Sequence, residues 1–590
     1  MKYRLRDNFS KNSFQCVEDI LKNRGVEDIP NFINPSPACE LDPYALDNID
    51  MAAKTLFFHL ENNSKILFPI DCDADGYTSA SVLWLYIKDI YPNADLHFTV
   101  HEHKQHGLED KIDWILEQDY NLVVVLDAGS FDIEYHKQLH EAGIECIVID
   151  HHTVPQDSEG NDILPNEEYA IVVNNQISSY KNKTLCGVGV TYKFCEELDR
   201  MLHINKAQYY MDLVALGEIA DVMDKTNTET NYLITEGLKH INNQGFKTLL
   251  ETQSYSLKER SIYPYIGLTS TDIAFYIAPL INAIVRVGTM ADKEALFYCF
   301  IDPMHEMQST KRGAKPGDIE YAAEQTARVG KNAKARQDKI KEKAADLIDF
   351  KIQKDDLNKN NILIIELSPE DNIPQEMSGL VAMDIVNKYN KPCLIVRRNS
   401  NGILQGSARN NENFSALPNL KEYLEKSGYF EYAAGHANAF GSGIKASKLS
   451  SFIEYVNNNL PADAFENCYL VDYILDATDN NYDLLEALSA HPEYFGNHIE
   501  EPKIIVKNIS LQNLFVMGTS KDNLKINYNQ IDYIKFKSTK FIEDVMQNRM
   551  KKLTVYGKPN LNNFNGKTSV QVFIDDYEFE EVNDIHKYDF

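Results

Sequence analysis

The sequence predicts an α/β protein in which a parallel-sheet domain is joined by a long helix to a second α/β domain, followed by a C-terminal β-barrel. Three observations lead to this prediction. After residue 65, short apolar runs ending in acidic or glycine-containing turns alternate with helical patterns. Residues 318–349 contain no proline and are rich in Ala, Lys, Glu and Gln. Closely spaced short strand patterns follow residue 501.

Composition and charge limit the classes of protein that this chain can be. Its 590 residues give room for several domains. A content of 43% hydrophobic and 25% charged residues excludes a wholly disordered chain. The formal net charge of −29 excludes nucleic-acid binding by the whole surface. Any nucleic-acid contact must therefore use local concentrations of basic residues.

The cysteines and the N-terminus predict the compartment. Nine cysteines include no CxxC pair, which argues against a zinc site or a disulfide framework and suits a reducing cytosol. The N-terminal stretch MKYRLRDNFSKNSF carries charges but no apolar core. The sequence shows no run of about 18 apolar residues. We therefore expect a cytoplasmic protein with no membrane contact.

Four apolar runs in the first domain lead into polar turns. ILFPI (66–70) leads into DCDADG, NLVVVL (121–126) into DAGS, CIVI (146–149) into DHH, and IVV (171–173) into NNQ. Strands that are apolar throughout indicate a parallel sheet covered on both faces. In such sheets ligands bind beyond the carboxyl ends of the strands. The acidic turns fall at those ends.

The remaining boundaries follow from changes in pattern. KRGAKPG (311–317) is a turn-rich break ahead of the long helical pattern. The strand patterns NILIIEL (361–367) and CLIVRR (393–398) mark the second α/β domain. We predict an N-terminal helical appendage at 1–64, the first α/β domain at 65–310, the connecting helix at 311–352, the second α/β domain at 353–460, a helical linker at 461–500 and the barrel at 501–582.

The acidic turns carry side chains suited to divalent cations. Alternate carboxylates in DCDADG project from an extended segment, and further carboxylates or imidazoles follow the later strands. Oxygen ligands with one or two imidazoles suit Mn²⁺ or Mg²⁺ better than zinc. A bridging carboxylate could hold two ions about 3.5–4 Å apart. The candidate ligands are Asp71, Asp73, Asp75, Asp127, Asp150, His151, His152 and Asp221.

Single motifs in this set have other interpretations. DxDxDG resembles the start of a calcium loop, but Val82 stands where that loop needs glutamate and an apolar strand precedes it. A lone aspartate after a strand, such as Asp127, is commonly a helix N-cap. Several like charges that converge on one edge of a sheet are costly unless a cation neutralises them. Taken together, the motifs therefore predict a metal site.

At this point the sequence resembles the DHH phosphoesterase superfamily and, within it, the RecJ-type single-strand-specific exonucleases. The resemblance runs from about residue 65 to 580. Its motifs are DCDADGYTSA (71–80), VVLDAGS (124–130), VIDHHTV (148–154), VVNNQISSYKNKTLCGVGVTYKF (172–194), VALGEIADV (214–222), FYIAPLINAIVRVG (275–288), SGLVAMDIVNKYNKPCLIV (378–396), QGSARN (405–410) and AAGHANAFG (433–441).

Carried over residue by residue, the resemblance implies a centre of two divalent ions, Mn²⁺ or Mg²⁺. It implies that the two neighbouring histidines differ, one coordinating and the other facing the phosphate or a carboxylate, with Asp150 as the partner that holds the ligating ring. The implied metal ligands are Asp71, Asp73, Asp75, Asp127, His151 and Asp221, and the implied catalytic set is Asp73, Asp75, Asp127, Asp150, His151, His152 and Asp221.

The resemblance also implies phosphate contacts, and the sequence departs from the family pattern near them. The second α/β domain corresponds to the DHH-associated domain, which grips substrate. Ala434 replaces the first glycine of a GGH turn, and Ile284-Val285 replaces small residues. His101 stands where the family has an arginine, so recognition of the 5′ end is expected to differ. The implied substrate-binding residues are His101, Arg286, Ser407, Arg409 and His436.

The implied activity is 5′→3′ degradation of single-stranded DNA to mononucleotides by two-metal hydrolysis. An alternative is a DHH phosphodiesterase acting on short oligonucleotides or cyclic dinucleotides, whose chains are usually shorter and lack a terminal barrel. A manganese pyrophosphatase needs no strand-binding domain, and an inactive scaffold would have lost metal-site residues that are all present here. We expect a monomer that binds single-stranded DNA, with a single-strand-binding protein as a candidate partner.

Two segments of the chain are rich in basic residues although the net charge of the whole chain is negative. Residues 311–345 carry ten Lys and Arg against five Asp and Glu, and residues 501–570 carry twelve against five. The barrel resembles an OB-fold, which would hold the strand with basic and stacking side chains. Because most aromatic residues of a small barrel are core, we expect one or two of the candidates to face substrate. These candidates are Phe515, Tyr528, Tyr533, Phe536 and Phe564.

Overall fold

The structure, a computed structural model, describes residues 1–6, 9–13, 15–103, 105–155, 162–414, 416–461, 464–564 and 566–580. The chain divides into two compact units. The first unit comprises Arg24–Arg336 and Pro492–Glu500. The second unit comprises Met1–Asn23, Gln337–His491 and Glu501–Phe590.

The strands and α-helices are numbered along the chain. The strands of the described residues are β1 (Lys2–Leu5), β2 (Ile66–Ile70), β3 (Leu96–Val100), β4 (Leu122–Leu126), β5 (Glu145–Asp150), β6 (Ile171–Asn174), β7 (Glu306–Gln308), β8 (Ile319–Tyr321), β9 (Leu363–Leu367), β10 (Cys393–Arg398), β11 (Ile403–Arg409), β12 (Phe430–His436), β13 (Ala439–Lys445), β14 (Cys468–Val471), β15 (Tyr473–Asp476), β16 (Ile504–Ser510), β17 (Asn513–Met517), β18 (Asn523–Tyr528), β19 (Ile531–Lys535), β20 (Lys552–Phe564) and β21 (Lys567–Glu580). The helices are α1 (Cys16–Asn23), α2 (Ile29–Ile33), α3 (Ile49–Glu61), α4 (Ala74–Ile90), α5 (Ile112–Leu116), α6 (Ile133–Glu141), α7 (Gly187–Leu202), α8 (Met211–Ala220), α9 (Thr228–Lys239), α10 (Gln244–Thr252), α11 (Ser254–Leu257), α12 (Ser270–Asp272), α13 (Ala278–Val287), α14 (Met290–Ile301), α15 (Ala322–Lys354), α16 (Ser378–Tyr389), α17 (Leu420–Ser427), α18 (Leu449–Asn459), α19 (Tyr482–Ser489) and α20 (Thr539–Gln547).

The first unit is built on the parallel sheet that the apolar runs predict. Its strand order is β3-β2-β4-β5-β6, and all neighbouring strands are parallel. Alternate residues face opposite layers: Leu67 and Val123 pack with α5 and α6, whereas Phe68 and Val124 pack with α4, α7 and α8. Burial on both faces explains why these strands carry no polar alternation. The prediction of a doubly covered parallel sheet is confirmed.

The register aligns the carboxyl ends of the central strands. Leu126 of β4 lies beside Ile149 of β5, and Asp150 lies beside Asn174 of β6. The residues that follow β4 and β5 therefore emerge at the same edge of the sheet. This alignment places Asp127 next to the DHH triplet.

One helical stretch of the first unit is unusually apolar. Among the described residues, Ser270–Val287 alone is long and apolar enough to cross a membrane, and 56% of it is buried inside the fold. The sequence predicted no such stretch. Burial matches the behaviour of a core helix, whose apolar face is covered by its neighbours. Ile284 and Val285, which replace small residues of the family pattern, are part of this buried face.

The second unit contains a mixed sheet with strand order β12-β13-β11-β10-β9. The pair β9–β10 is parallel, and the other pairs are antiparallel. A seven-stranded sheet with order β15-β16-β20-β21-β19-β18-β17 forms the C-terminal domain. The long helix α15 is continuous, as the proline-free stretch predicts.

Two segments differ from the predicted boundaries. The first 64 residues do not form one appendage, because β1 pairs in parallel with β14 of the second unit, whereas α3 packs on α7 and β6 of the first. The predicted linker is also structured. It supplies β15 to the C-terminal sheet, and its residues 492–500 belong to the first unit.

Candidate metal centre

The N-terminus of α4 carries two of the predicted ligands, Asp73 at the N-cap and Asp75 in the first turn. Asp73 is the N-cap of α4 and accepts hydrogen bonds from the backbone N–H of Asp75 (3.0 Å) and Gly76 (3.1 Å). The buried Asp75 carboxylate accepts the N–H groups of Gly187 (2.6 Å) and Val188 (2.9 Å) at the start of α7. Both carboxylates are therefore held by helix N-termini, which favour negative charge.

Asp71, at the end of β2, lies beside a histidine that the sequence reasoning missed. Its buried carboxylate is 2.9 Å from Nδ1 of His106. This hydrogen bond raises the pKa of His106 to about 11. His101, predicted to contact phosphate, instead lies inside the unit with a fully buried side chain bonded to Asp110. That position does not support a phosphate contact, and His106 is the histidine of this loop that reaches the site.

Asp127 follows β4 in the left-handed region, at φ +62°. Its side chain is buried, and among the described residues no donor makes a hydrogen bond of good geometry to its Oδ1. Nε2 of His151 lies 3.2 Å from that oxygen. A Cβ on Gly187 would lie 2.5 Å from Oδ1, so a side chain there would occupy the space around this carboxylate. A buried carboxylate oxygen with this surrounding fits a cation ligand.

Asp150 organises both histidines of the DHH triplet. Its Oδ1 accepts the backbone N–H of His151 (2.7 Å) and lies 2.7 Å from Nδ1 of His152. Its Oδ2 accepts the N–H of Ser130 (3.0 Å). Asn174 donates to Ser130 Oγ and to the carbonyl of His152, which ties β6 to the triplet. Asp150 therefore holds the ring of His152 and the backbone of His151.

His151 faces three carboxylates. Its Nε2 lies 3.2 Å from Asp127 Oδ1, 3.6 Å from Asp221 Oδ2 and 3.9 Å from Asp75 Oδ2. Asp221 follows helix α8 and not a strand, contrary to the expectation that all of these ligands stand at strand ends, and its side chain is about one-third exposed. The two histidines thus occupy different environments: His151 points at the carboxylates, whereas the half-exposed His152 is bonded to Asp150. The expectation that Asp150 holds the ligating ring is wrong, because its side chain bonds the ring of His152 and reaches His151 only through the backbone N–H.

All six predicted metal ligands fall into two compact groups. Within each group the potential ligand atoms lie within 4.8 Å of one another. The 3.2 Å separation between His151 and Asp127 joins the groups. The arrangement could hold two neighbouring divalent cations. The groups are Asp75, His151 and Asp221, and Asp71, Asp73 and Asp127.

Like charges disturb the ionisation of this centre. Burial, together with Asp75, Asp73, Asp71 and Asp221, raises the pKa of Asp127 well above its usual range. Burial and Asp75 raise the pKa of Asp221 to about 8. A divalent cation would reverse both shifts, because it favours the ionised carboxylates.

The imidazoles shift in opposite directions. Burial lowers the pKa of His151, which keeps the ring in the neutral form that coordinates metals. Burial also opposes the cationic form of His152, but its hydrogen bond to Asp150 outweighs that effect and raises its pKa to about 9. Burial opposes ionisation of Asp150 as well, and its bond to His152 nevertheless holds the pKa of Asp150 below the usual value.

Three glycines let the carboxylates pack this closely. A Cβ on Gly76 would lie 2.5 Å from Asp71 Cβ, and a Cβ on Gly217 would lie 2.9 Å from Asp75 Oδ1. Gly187 is the third, beside Asp127. The sequence shows these glycines only as parts of motifs. Their role depends on which segments meet, so pattern reasoning did not single them out.

The predicted phosphate-binding residues lie on two units. Arg286 is a half-buried residue in the last turn of α13, in the first unit. Ser407 and Arg409 are half-buried residues on β11, in the second unit. The guanidinium of Arg409 lies against Gly379 of α16, where a Cβ would clash with Nη2. The side chain of His436 lies outside the described residues.

Ser407 lines a small pocket on the second unit, with a volume of about 220 Å³. Arg397, which the sequence reasoning did not select, also lines it and donates to Ser378 Oγ (2.8 Å). Gly406 is required by close approach, because a Cβ there would clash with the carbonyl oxygen of Ile395. The pocket presents hydroxyl, amide and guanidinium groups. The remaining lining residues are Gln375, Gln405, Tyr432 and Gly441.

The candidate stacking residues of the C-terminal domain divide into two classes. Phe515 and Phe536 are each 52% exposed. Nζ of Lys525 lies 5.3 Å from the centre of the Phe515 ring, a cation–π contact. Tyr533 is fully buried in the core, and Tyr528 is half-buried. The side chain of Phe564 lies outside the described residues.

Two segments match known families. Residues 65–218 match the DHH family, N-terminal domain. Residues 471–576 match the RecJ OB domain. The second match begins inside the predicted linker, in agreement with the position of β15 in the C-terminal sheet.

Whole-length relatives point the same way. Over 99% of its length the chain is 35% identical to the provisionally named SPbeta prophage-derived single-strand DNA-specific exonuclease YorK of Bacillus subtilis strain 168, and it covers 98% of that protein. It is 23% identical to the single-stranded-DNA-specific exonuclease RecJ of the same organism, over 96% of this chain and 68% of that one. The crystal structure of RecJ in complex with Mn²⁺ from Thermus thermophilus has the same fold, with a TM-score of 0.70 at 20% identity, over 98% of this chain and 80% of that one.

Proposed function

Because the chain belongs to the RecJ-type branch of the DHH phosphoesterase superfamily, we propose that it is a metal-dependent exonuclease that hydrolyses single-stranded DNA from the 5′ end to mononucleotides. The observation that carries the proposal is the convergence of all six predicted ligands in two adjoining groups at one sheet edge. This arrangement matches the donor chemistry of Mn²⁺ and Mg²⁺.

The ligand set would be divided between the two groups. Asp75, His151 and Asp221 would hold one ion, and Asp71, Asp73 and Asp127 would hold the other. Two divalent ions would neutralise the phosphodiester and lower the pKa of an attacking water. The contribution of the chain is pre-organisation, because Asp73 and Asp75 are held by backbone N–H groups before any ion binds.

His152 would act on the substrate side of the centre. Its Nδ1 is engaged by Asp150, and this bond raises the pKa of the ring to about 9 in the metal-free protein, which favours the cationic form. A cationic imidazole with one nitrogen fixed suits hydrogen bonding to a phosphate oxygen, or proton donation to the leaving oxygen. Asp150 would act through both histidines and would not touch substrate.

The second unit would bind the single-stranded DNA. Ser407 and Arg409 share one face of β11, since side chains two residues apart project to the same side. Guanidinium and hydroxyl groups bind phosphate oxygens well. The OB domain offers exposed Phe515 with Lys525 beside it, a pairing of stacking and charge that is typical of single-strand binding. We further propose that the protein acts as a cytoplasmic monomer.

The test uses Mn²⁺ with single-stranded DNA labelled at either the 5′ or the 3′ end. We expect early release of the 5′ label as a mononucleotide, with little activity on duplex DNA. Asp127→Ala should lower the rate by about 10³-fold, equivalent to roughly 4 kcal/mol. Asp113→Ala, at an exposed aspartate on α5 of the same unit, should leave the rate unchanged.

Each other outcome has a definite meaning. Release of 3′ nucleotides first would contradict the proposed direction. Equal activity of Asp127→Ala and the unaltered protein would contradict the metal centre. Cleavage of cyclic dinucleotides or dinucleotides in preference to long strands would favour the alternative phosphodiesterase activity.

A further inference from the structure

A tight turn in the predicted linker packs against one end of the metal centre. The backbone N–H of Gly496 donates to the carbonyl of Ile499 (2.8 Å), and Ile499 donates back to Gly496 (2.9 Å). The two corner residues, Asn497 and His498, have φ of +35° and +70°. Positive φ at both corners is the pattern of a two-residue hairpin turn of type I′.

The tip of this turn bonds to the segment on either side of Asp221. Nδ2 of Asn497 donates to the carbonyl of Glu218 (3.1 Å). Nε2 of His498 lies 3.0 Å from the carbonyl of Val222, which can only accept. The backbone N–H of Lys225 donates to the carbonyl of Asn497 (3.3 Å). All of these residues belong to the first unit.

The backbone next to Asp221 has a strained conformation that surrounding contacts must stabilise. Helix α8 ends in a Schellman motif: Met223 N–H donates to Glu218 (3.0 Å), and Val222 N–H donates to Ile219 (3.1 Å). The motif requires a left-handed residue next to the ligand, and that residue is Val222, at φ +58°. Glycine is usual at this position, and a β-branched residue there is strained.

Packing on Val222 itself does not account for this conformation. Its side chain is 52% exposed. Strained backbone persists where surrounding contacts over-determine it. The bonds from Asn497 and His498 are contacts of that kind, because they bind the carbonyl three residues before the ligand and the carbonyl of the residue directly after it.

The turn is anchored by its own flanks. Phe495 and Ile499 are buried. The buried ammonium of Lys225 donates to the carbonyl of Glu493 and lies 5.8 Å from the centre of the Phe32 ring. Arg24 donates to the carbonyl of Glu500 (3.4 Å). The tip is therefore held at both ends on the first unit.

We infer that the Asn497–His498 turn is a positioning element that holds Asp221 in place for cation binding. The inference rests on the proposed function, in which Asp221 is a metal ligand. His498 and Asn497 act through the backbone of residues 218–222 and do not touch the ion or the substrate. Their role is that of the outer contacts that orient metal ligands, whose loss typically weakens metal binding by about 10–100-fold.

The experiment measures Mn²⁺ binding without substrate, by electron paramagnetic resonance of free Mn²⁺ during titration of the full chain. His498→Asn keeps a residue that tolerates the left-handed corner but is too short to reach Val222. We expect this variant to weaken the binding of the Mn²⁺ ion on the Asp221 side by about 10-fold. His240→Asn, at an exposed histidine after α9, is the matched control and should bind as the unaltered protein does.

A second substitution tests the mechanism. Val222→Gly removes the strain that the turn opposes, so Val222→Gly combined with His498→Asn should recover most of the lost affinity. Asn497→Asp, which keeps the corner but removes the donor to Glu218, should weaken Mn²⁺ binding in the same direction and serves if His498→Asn does not fold. Thermal unfolding followed by circular dichroism checks that each variant is folded.

Two results would overturn the inference. One is unaltered Mn²⁺ binding by both folded turn variants; the other is a defect in His498→Asn that Val222→Gly does not relieve. Asp127→Ala, measured in parallel, separates this failure from failure of the proposed function. If Asp127→Ala binds Mn²⁺ normally, the metal centre itself is wrong. If it loses binding while the turn variants do not, only the positioning role is wrong.

Discussion

The carboxylate edge of the parallel sheet and the β11 face of the mixed sheet place candidate functional side chains in different ways. At the parallel edge, short side chains such as Asp75 are buried and fixed by backbone N–H groups. On β11, Ser407 and Arg409 lie half-buried along an antiparallel strand. Parallel strands end together, so their ends can build a compact charged centre, whereas a strand in a mixed sheet presents a row of side chains along its face.

Cation binding and strand binding need different kinds of side chain. Cation binding requires several oxygen atoms within a few ångströms of each other, which buried and backbone-anchored carboxylates provide. Holding a flexible strand requires longer groups that bind phosphate and bases. We therefore expect changes at the parallel edge to lower the rate of chemistry, and changes on β11 or in the OB domain to weaken substrate binding.

The largest of the effects that test this comparison is expected at Asp150. Asp150→Asn keeps the size of the side chain but removes the charge that fixes His152 and the backbone of His151. We expect kcat to fall by about 100-fold, with KM for single-stranded DNA nearly unchanged. Steady-state kinetics under saturating Mn²⁺ measure both. An increase in KM at constant kcat would contradict the expectation that changes at the parallel edge lower the rate of chemistry and leave substrate binding unchanged.

A smaller effect is expected on β11. Arg409→Ala should raise KM for single-stranded DNA by about 10-fold, because the guanidinium that we propose binds phosphate is lost, and kcat should change little. Arg409→Lys should restore only part of the affinity, since an ammonium lacks the paired donors. A fall in kcat at constant KM would instead place Arg409 in the chemical step.

In the OB domain the change should be smaller again. Phe515→Ala removes an exposed ring that lies 5.3 Å from Nζ of Lys525. We expect affinity for single-stranded DNA to fall by about 5-fold, as one stacking contact is lost. Fluorescence anisotropy in Ca²⁺ measures binding without turnover. Val516→Ala, at the exposed neighbouring residue, is the control, and an equal loss there would contradict a stacking role for Phe515.

The smallest effect concerns stability and pH in the absence of divalent cations. The folded-state pKa of Asp221 is raised to about 8, above its value of 3.8 in an unfolded chain. A carboxyl group whose pKa is raised by folding contributes stability that is fully present below pH 4. This stability is lost as the pH rises through 8. The melting temperature of the metal-free protein should therefore fall by a few degrees between pH 5 and 8.5.

Two further measurements check whether Asp221 causes the fall in melting temperature. Mn²⁺ should suppress the fall in melting temperature, since the cation favours the ionised carboxylates. Asp221→Asn should reduce the pH dependence of the metal-free protein. A pH profile that is the same in Asp221→Asn and the unaltered protein would assign the effect to other groups.

Much of the centre was predictable because it depends on local order in the chain. Apolar runs followed by Asp71, Asp127 and Asp150 predicted a parallel sheet with acids at its carboxyl edge, and the structure confirms that sheet. The OB-type domain was also predicted, although its first strand lies earlier than expected, at Tyr473–Asp476. Strand β15 was missed because it has only four residues, and so short a run gives a weak strand pattern in the sequence.

Other features depend on contacts between distant segments. His106 meets Asp71, and Gly187 meets Asp127, across separations that no local pattern encodes. His101 was assigned to the site by its position in a motif, yet its side chain pairs with Asp110 in the interior. A position in the sequence does not tell which of several neighbouring histidines faces the cleft and which faces the core.

By itself, the sequence determined which donor atoms this protein offers and that most of them follow the strands of the parallel sheet, because side-chain chemistry and strand periodicity are local properties. Asp221 is the exception, since it follows helix α8. Only the tertiary structure decided how those donors are grouped, that Asp150 holds both histidines, and that the turn at Asn497–His498 braces the segment around Asp221. The physical reason is that hydrogen bonds and close packing act over a few ångströms, whatever the separation along the chain.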